Sequence, residues 1–166
     1  MKALAIVLLY VIPLNGANYH RETQIARWRD EANVWLEQRT GGTLPYSATV
    51  QTMTMYQYID TGFALDFYLR STYRPGTLYV AYLESNPRVT YCGEAVRDHI
   101  GKRPLAAIYP TRCVGHTDIY NALLLLHETL HLFGIGHADD PRDLMNPNFG
   151  TDSELGDYDL TPYLIR

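Results

Sequence analysis

Cysteine is scarce in this chain: there are two in 166 residues, Cys92 and Cys113. Neither belongs to a Cys-x-x-Cys pair, so a thiolate zinc site is excluded as a working expectation. One disulfide is the most the pair could make. That use of cysteine fits an oxidising compartment, or a thermophile that keeps disulfides inside the cell. Charge of one sign is also lacking. A formal net charge of -4 gives no basic surface for nucleic acid, and none is expected as a partner. No apolar run is long enough for a stable membrane span; the best, from Met1 to Ile12, is cut by Pro13. Internal repeats, low-complexity tracts and domain-splitting linkers are absent. What remains is ordinary globular composition, 46% hydrophobic and 19% charged, read as one domain over residues 1–166. Tyrosine outnumbers phenylalanine 14 to 4, a bias from which no function follows.

The apolar start has two readings. Lys2, an apolar stretch and the small residues at Asn15-Gly16-Ala17 suit a cleaved export signal. The same run suits a strand buried on both faces, the favoured reading. Export or intracellular residence depends on that choice. A clear amphipathic helix follows, with Ile25, Trp28, Ala32, Trp35 and Leu36 on one stripe and an end at Gly41-Gly42. The two tryptophans are expected to pack on a sheet. Strands are expected at Ala48–Tyr56, Thr77–Leu83, Thr90–Val96 and Leu105–Pro110, with a turn at Pro75-Gly76. Asp60–Tyr73 fits helix and strand periods equally. Thr161-Pro162 has the form of a helix start near the C-terminus. His20, His99 and His116 are isolated and read as surface or structural residues.

The most specific segment is His127-Glu128-Thr129-Leu130-His131-Leu132-Phe133-Gly134-Ile135-Gly136-His137. Thr117 and Asp118 offer N-cap chemistry, and Ile119, Ala122, Leu123, Leu126 and Leu130 recur at helical spacing. At 3.6 residues per turn, His127 and His131 leave one face of that helix a turn apart. Both can then reach one ion. Glu128 lies about 100° further round the helix, beside the metal without ligating it, where a general base is needed. Gly134 allows a sharp exit from the helix that returns His137 as a third ligand. Three protein ligands leave a fourth tetrahedral position for water, the mark of a catalytic zinc.

With Met145 added, this pattern resembles the metzincin clan of zinc endopeptidases, whose signature is His-Glu-x-x-His-x-x-Gly-x-x-His followed by a methionine turn. The segment His137–Phe149 is most similar to the matrixin branch, where Met follows the third His by eight residues and precedes x-Pro-Asn-aromatic. The resemblance implies that His127, His131 and His137 hold one zinc ion, that Glu128 is the base and proton shuttle, and that Met145 forms the apolar floor beneath the metal. It implies an α/β (α+β) fold: a twisted mixed sheet, a long N-terminal helix, a central metal-binding helix and a small C-terminal subdomain. The upper part would run to about residue 136 and the lower from 137 to 166, with the zinc in a cleft between them. There are departures. Pro147 stands where some relatives carry a tyrosine that approaches the metal, and no cysteine-switch segment or second structural zinc site is recognisable. Asp139, Asp140 and Asp143 could hold calcium or orient a ligand histidine; solvated loop residues are the favoured reading.

The expected substrate is a polypeptide, bound extended along a sheet edge. Tyr91–Val96 is the candidate edge because Gly93 permits close backbone approach, which makes Gly93, Glu94 and Ala95 candidate substrate contacts. Asn148 and Phe149 are candidates for lining a specificity pocket. Two rival functions fit the same motif: a zinc-binding interaction domain without turnover, and a metal-dependent hydrolase of a non-peptide amide.

Overall fold

A computed structural model describes residues 5–14, 21–56, 59–69, 74, 76–84, 88–97, 104–113 and 116–166. Asn15-Gly16-Ala17, Lys2, His20, His99 and Pro75, each named above, lie outside the described residues. The apolar start forms strand β1 (Ala5–Pro13), as the strand reading expects. Four more strands follow: β2 (Gln51–Met55), β3 (Thr77–Leu83), β4 (Gly93–Arg97) and β5 (Pro104–Ile108). Three α-helices lie among them: α1 (Glu22–Thr40), α2 (Gly62–Leu69) and α3 (Asp118–Leu132).

The strands make one sheet in the order β2-β1-β3-β5-β4. All neighbours are parallel except β4, which runs antiparallel to β5 at the edge. β1 is interior, and this explains its unbroken apolar run. Ile6, Leu8, Tyr10 and Ile12 face a core shared with α1 and α3. Leu9 and Val11 face a second core on the opposite side, shared with α2. A strand covered on both faces has no polar face to alternate with.

α1 buries the stripe read from its spacing, Ile25, Trp28, Ala32, Trp35 and Leu36, and stops at Gly41 with φ 70°. Trp28 and Trp35 are both buried. The Trp28 ring packs 5.7 Å from that of Tyr82 on β3, and its Nε1 donates to Asp118 Oδ1 at 2.9 Å. The long helix is thereby tied to the first residue of α3. Arg21, just before α1, forms an ion pair with the buried Glu84 just past β3.

The ambiguous stretch after Asp60 resolves as helix over Gly62–Leu69. Its period is hard to read because the helix is short and shows aromatics to solvent, Phe63 and Phe67 among them. The expected helix at Thr161-Pro162 is a correction: the chain makes only a turn there. Tyr163 N donates to Leu160 O, and Ile165 exchanges two backbone hydrogen bonds with Thr43, at 2.8 and 3.0 Å. The Tyr163 ring stacks on Phe133 at 3.9 Å. Pairing with Thr43 satisfies the backbone groups that a helix would have used.

Candidate metal centre

α3 is the element that builds the site. Thr117 caps it by accepting from Tyr120 N–H. From Asn121 to Leu130 every residue is buried, because α3 packs between α1 and the β3-β5-β4 side of the sheet. The polar residues His127, Glu128 and Thr129 are buried with it. Each fully buried leucine stabilises this placement by roughly 1.5–3 kcal/mol.

His127 and His131 leave the helix one turn apart, with their Nε2 atoms 3.0 Å from each other. After Leu132 the chain turns at Gly134, φ 98°, a conformation that costs glycine little and other residues more. The turn brings His137 Nε2 to 3.1 Å from His131 Nε2. All three ligand atoms lie within 4.8 Å of one another.

The outer ring nitrogens are pinned. His127 Nδ1 is 2.7 Å from Leu144 O, and His131 Nδ1 is 2.7 Å from Ile135 O. A carbonyl can only accept, so the proton sits on Nδ1 and each Nε2 presents a lone pair to the shared centre. Burial pushes the His127 imidazole down to about 4, which keeps it neutral and able to ligate.

Met145 is fully buried, in the turn that follows His137. Its carbonyl accepts from Ala138 N–H at 3.0 Å, and Asn146 Nδ2 donates to Ala138 O at 3.1 Å. The turn therefore clamps the residue next to His137. Asp143, read above as a solvated loop carboxylate, instead accepts from Met145 N–H and from Tyr158 O–H, each at 2.7 Å. Asp140 accepts from Arg142 N–H and pairs with its guanidinium at the surface.

Glu128 is buried, and its Oε2 has no hydrogen-bond partner. Burial, with Glu94 and Cys92 nearby, raises its carboxyl to about 8. Gly93 explains how the carboxylate fits against the sheet. A Cβ on Gly93 would stand 2.4 Å from Glu128 Oε1, far inside contact distance. Glycine here admits the glutamate side chain, a closer reason than the backbone approach its position on a strand suggests.

A cavity of about 670 Å³ joins these groups. The three histidines and Glu128 line it together with Gly93, Glu94, Ala95, Asn148 and Phe149. The Glu94 carboxylate is already engaged, accepting from Gly62 N–H, Tyr91 O–H and Tyr109 O–H, which leaves its backbone to the cavity. Phe149 stacks on His127, ring centres 4.9 Å apart, and Tyr120 stacks on Phe149 at 5.1 Å. Tyr120, Leu124, Tyr91 and Cys92 also line the cavity. Tyr120 and Leu124 lie seven and three residues before His127, and helical periodicity could have found them. His116 stacks on Tyr120 at 4.0 Å. The two cysteines stand together: Cys113 Sγ lies 3.8 Å from Cys92 O, and no disulfide joins them.

No family model matches the sequence, and no curated protein matches it. Solved structures do. An archaemetzincin from Methanopyrus kandleri superposes with a TM-score of 0.56 at 14% identity, covering 89% of this chain and 88% of that one. Metalloproteinase-II from Bacteroides fragilis superposes with a TM-score of 0.50 at 17% identity, covering 92% of this chain and 50% of that one. A zinc-dependent peptidase from Methanocorpusculum labreanum gives a TM-score of 0.47 at 14% identity, over 83% of this chain and 87% of that one. The first of these likenesses shows the fold, a five-stranded mixed sheet with helices shared with that protein. The narrower resemblance to the matrixin branch is not supported. Among the described residues, no helix is long and apolar enough to cross a membrane.

Proposed function

We propose that this protein is a zinc-dependent endopeptidase. The observation that carries the reading is the convergence of three imidazole lone pairs in one cavity with a buried carboxylate that has an unpartnered oxygen. The donors fit the ion. Four ligands at about 2.0–2.1 Å in a tetrahedron stand about 3.3 Å apart, close to the 3.0 and 3.1 Å between these nitrogens. Neutral nitrogens suit zinc, and three protein ligands leave a position open. Zinc bound there would act as a Lewis acid and make a coordinated water acidic near neutral pH.

The chain's own residues supply the remaining steps. Glu128, raised by burial, accepts the proton of the attacking water at its carboxylate and delivers it to the leaving amine. General acid–base help of this kind contributes about 10²–10⁴ in rate. The edge of β4 offers backbone groups to an extended peptide, with Gly93 and Ala95 beside the reacting position. Asn148 and Phe149 bound the cavity on the other side, where the substrate side chain lies against an aromatic wall. Met145 and Asp143 keep His137 aligned through Ala138.

The test is turnover of a broad peptide library by zinc-loaded protein, with and without a chelator, alongside Glu128→Ala. The variant should keep one zinc per chain and lose about 10²–10⁴ in turnover. Zinc binding without cleavage by the wild type would leave an interaction module. Cleavage by the variant at the wild-type rate would remove Glu128 from the chemistry.

A further inference from the structure

The mechanism above leaves one pair of reactive groups unused. Cys92 lies at the entry to β4, half-buried and lining the cavity. Cys113 is buried on the segment that leads into α3. Twenty-one residues apart in sequence, the two cysteines meet in the fold, with Cys113 Sγ 3.8 Å from Cys92 O. The same Cys92 O accepts from Tyr109 N–H at 2.7 Å. The next residue is Gly93, the one pressed against Glu128.

We propose that Cys92 is an oxidation site for peroxides, that Cys113 is its resolving thiol, and that the disulfide they form displaces Gly93 against Glu128 and shuts off the site. The shut-off half rests on the peptidase reading; the thiol chemistry does not.

The chemistry balances. The Cys92 thiolate attacks one peroxide oxygen, the O–O bond breaks, and hydroxide leaves, giving a sulfenic acid on Cys92. The Cys113 sulfur then attacks the Cys92 sulfur, the S–O bond breaks and water leaves. Two thiols are oxidised by two electrons to one disulfide, and one peroxide is reduced to two waters. Cys92 stands where a peroxide can arrive and Cys113 is buried behind it, the division of labour that an attacking and a resolving thiol need.

The consequence follows from lengths. A disulfide is about 2.05 Å long, much shorter than any non-bonded contact between two sulfurs. Closing it draws the Cys92 backbone toward Cys113. Gly93 has no room to move against Glu128, so the carboxylate must shift. A displacement of about 1 Å at a catalytic group can cost about 10² in rate.

The experiment treats zinc-loaded protein with hydrogen peroxide and reads intact mass, a non-reducing peptide map, hydrogen exchange across β4 and peptide turnover. Only two cysteines exist, so the assignment is unambiguous. We expect a monomer lighter by two hydrogens, a Cys92–Cys113 cross-link, altered exchange at β4, and turnover lowered about tenfold or more and restored by a phosphine reductant. Cys113→Ser should stop at a sulfenic acid on Cys92 that a dimedone probe captures. Cys92→Ser should leave Cys113 unmodified at the same dose. An unchanged mass, a cross-link between two chains, or equal reactivity of Cys113 in Cys92→Ser would overturn the proposal. So would a cross-link that leaves both β4 exchange and turnover unaltered. If reduced wild type cleaves nothing, the peptidase reading fails, while the cross-link and the β4 exchange still decide the thiol pair and its effect on the strand.

Discussion

The sheet with its helices and the segment from His137 to Arg166 are held together by different forces. The described residues between Ala5 and Leu132 include every helix and strand of the sheet region, and their order comes from apolar burial on both faces of β1, β3 and β5. From His137 onward no helix or named strand forms. A few apolar side chains, Leu144, Met145, Phe149 and Leu160, are buried in the core that includes α3. The rest is fixed by specific hydrogen bonds: Asp143 to Met145 and Tyr158, Asn146 to Ala138, and Leu144 to Glu154 and His127. Each region gives the metal centre something different. α3 gives rigid spacing to His127 and His131, and the C-terminal segment adjusts His137 and the cavity wall. Damage to the first should therefore appear as lost stability, and damage to the second as lost geometry.

The largest effect expected in the regular region comes from Leu126→Ala. Leu126 is fully buried on α3, next to the first ligand. A buried leucine cut to alanine costs about 2–5 kcal/mol. Chemical denaturation should show a lower midpoint with an unchanged denaturant slope. A loss within a few tenths of a kcal/mol would mean that α3 is not the pillar of this half.

Gly93→Ala tests the boundary between the regions, where β4 meets the catalytic carboxylate. The new methyl would stand 2.4 Å from Glu128 Oε1, and the carboxylate must give way. Turnover should fall about 10²-fold, while zinc stoichiometry stays at the wild-type value because no ligand moves. An alanine variant that keeps wild-type kcat/KM would show that Glu128 has room the structure does not display.

How much of this was legible beforehand follows the same division. α1 and α3 were readable because burial imposes a period of 3.6 on helix side chains, and β1, β3 and β5 because strands covered on both faces show as short apolar runs. Thr77–Leu83 was read with the boundaries the structure gives it. The His127–His137 spacing is likewise a consequence of helix pitch followed by a glycine turn. α2 was not resolved, because eight residues hold barely two periods and its exposed aromatics blur them. The C-terminal turn was misread because a local Thr-Pro signal cannot reveal a partner at Thr43. Asp143 was read as a loop carboxylate for the same reason: its role is set by Tyr158, fifteen residues on. The adjacency of Cys92 and Cys113 follows from the β4–β5 pairing, a nonlocal fact without a sequence period.

In the irregular region, Asp143→Ala should weaken metal binding more than it weakens the fold. Its carboxylate holds Met145 N–H and the Tyr158 hydroxyl, and through the turn it sets Leu144 O, the acceptor for His127 Nδ1. Outer partners of this type affect metal affinity by about 10–100-fold. Competition with a zinc-binding dye should show that loss, with Tm of the metal-free protein lowered only slightly. A large drop in metal-free stability with unchanged zinc affinity would place Asp143 with the core instead.

Tyr158→Phe should give the smallest effect and the sharpest contrast. It removes one hydroxyl and leaves the ring, so the packing of the C-terminal segment survives. The hydrogen bond to Asp143 Oδ2, 2.7 Å long, also keeps the Tyr158 hydroxyl protonated, its pKa raised by partial burial and by that carboxylate. Loss of such a bond costs about 0.5–1.5 kcal/mol, more when the partner is charged. Asp143 still holds Met145 N–H through Oδ1, so zinc affinity should fall by less than in Asp143→Ala. In the double variant Tyr158→Phe with Asp143→Ala, the tyrosine change should then cost nothing further, because both act through one contact. Additive losses in that cycle would mean that Tyr158 supports the metal centre by a route other than Asp143.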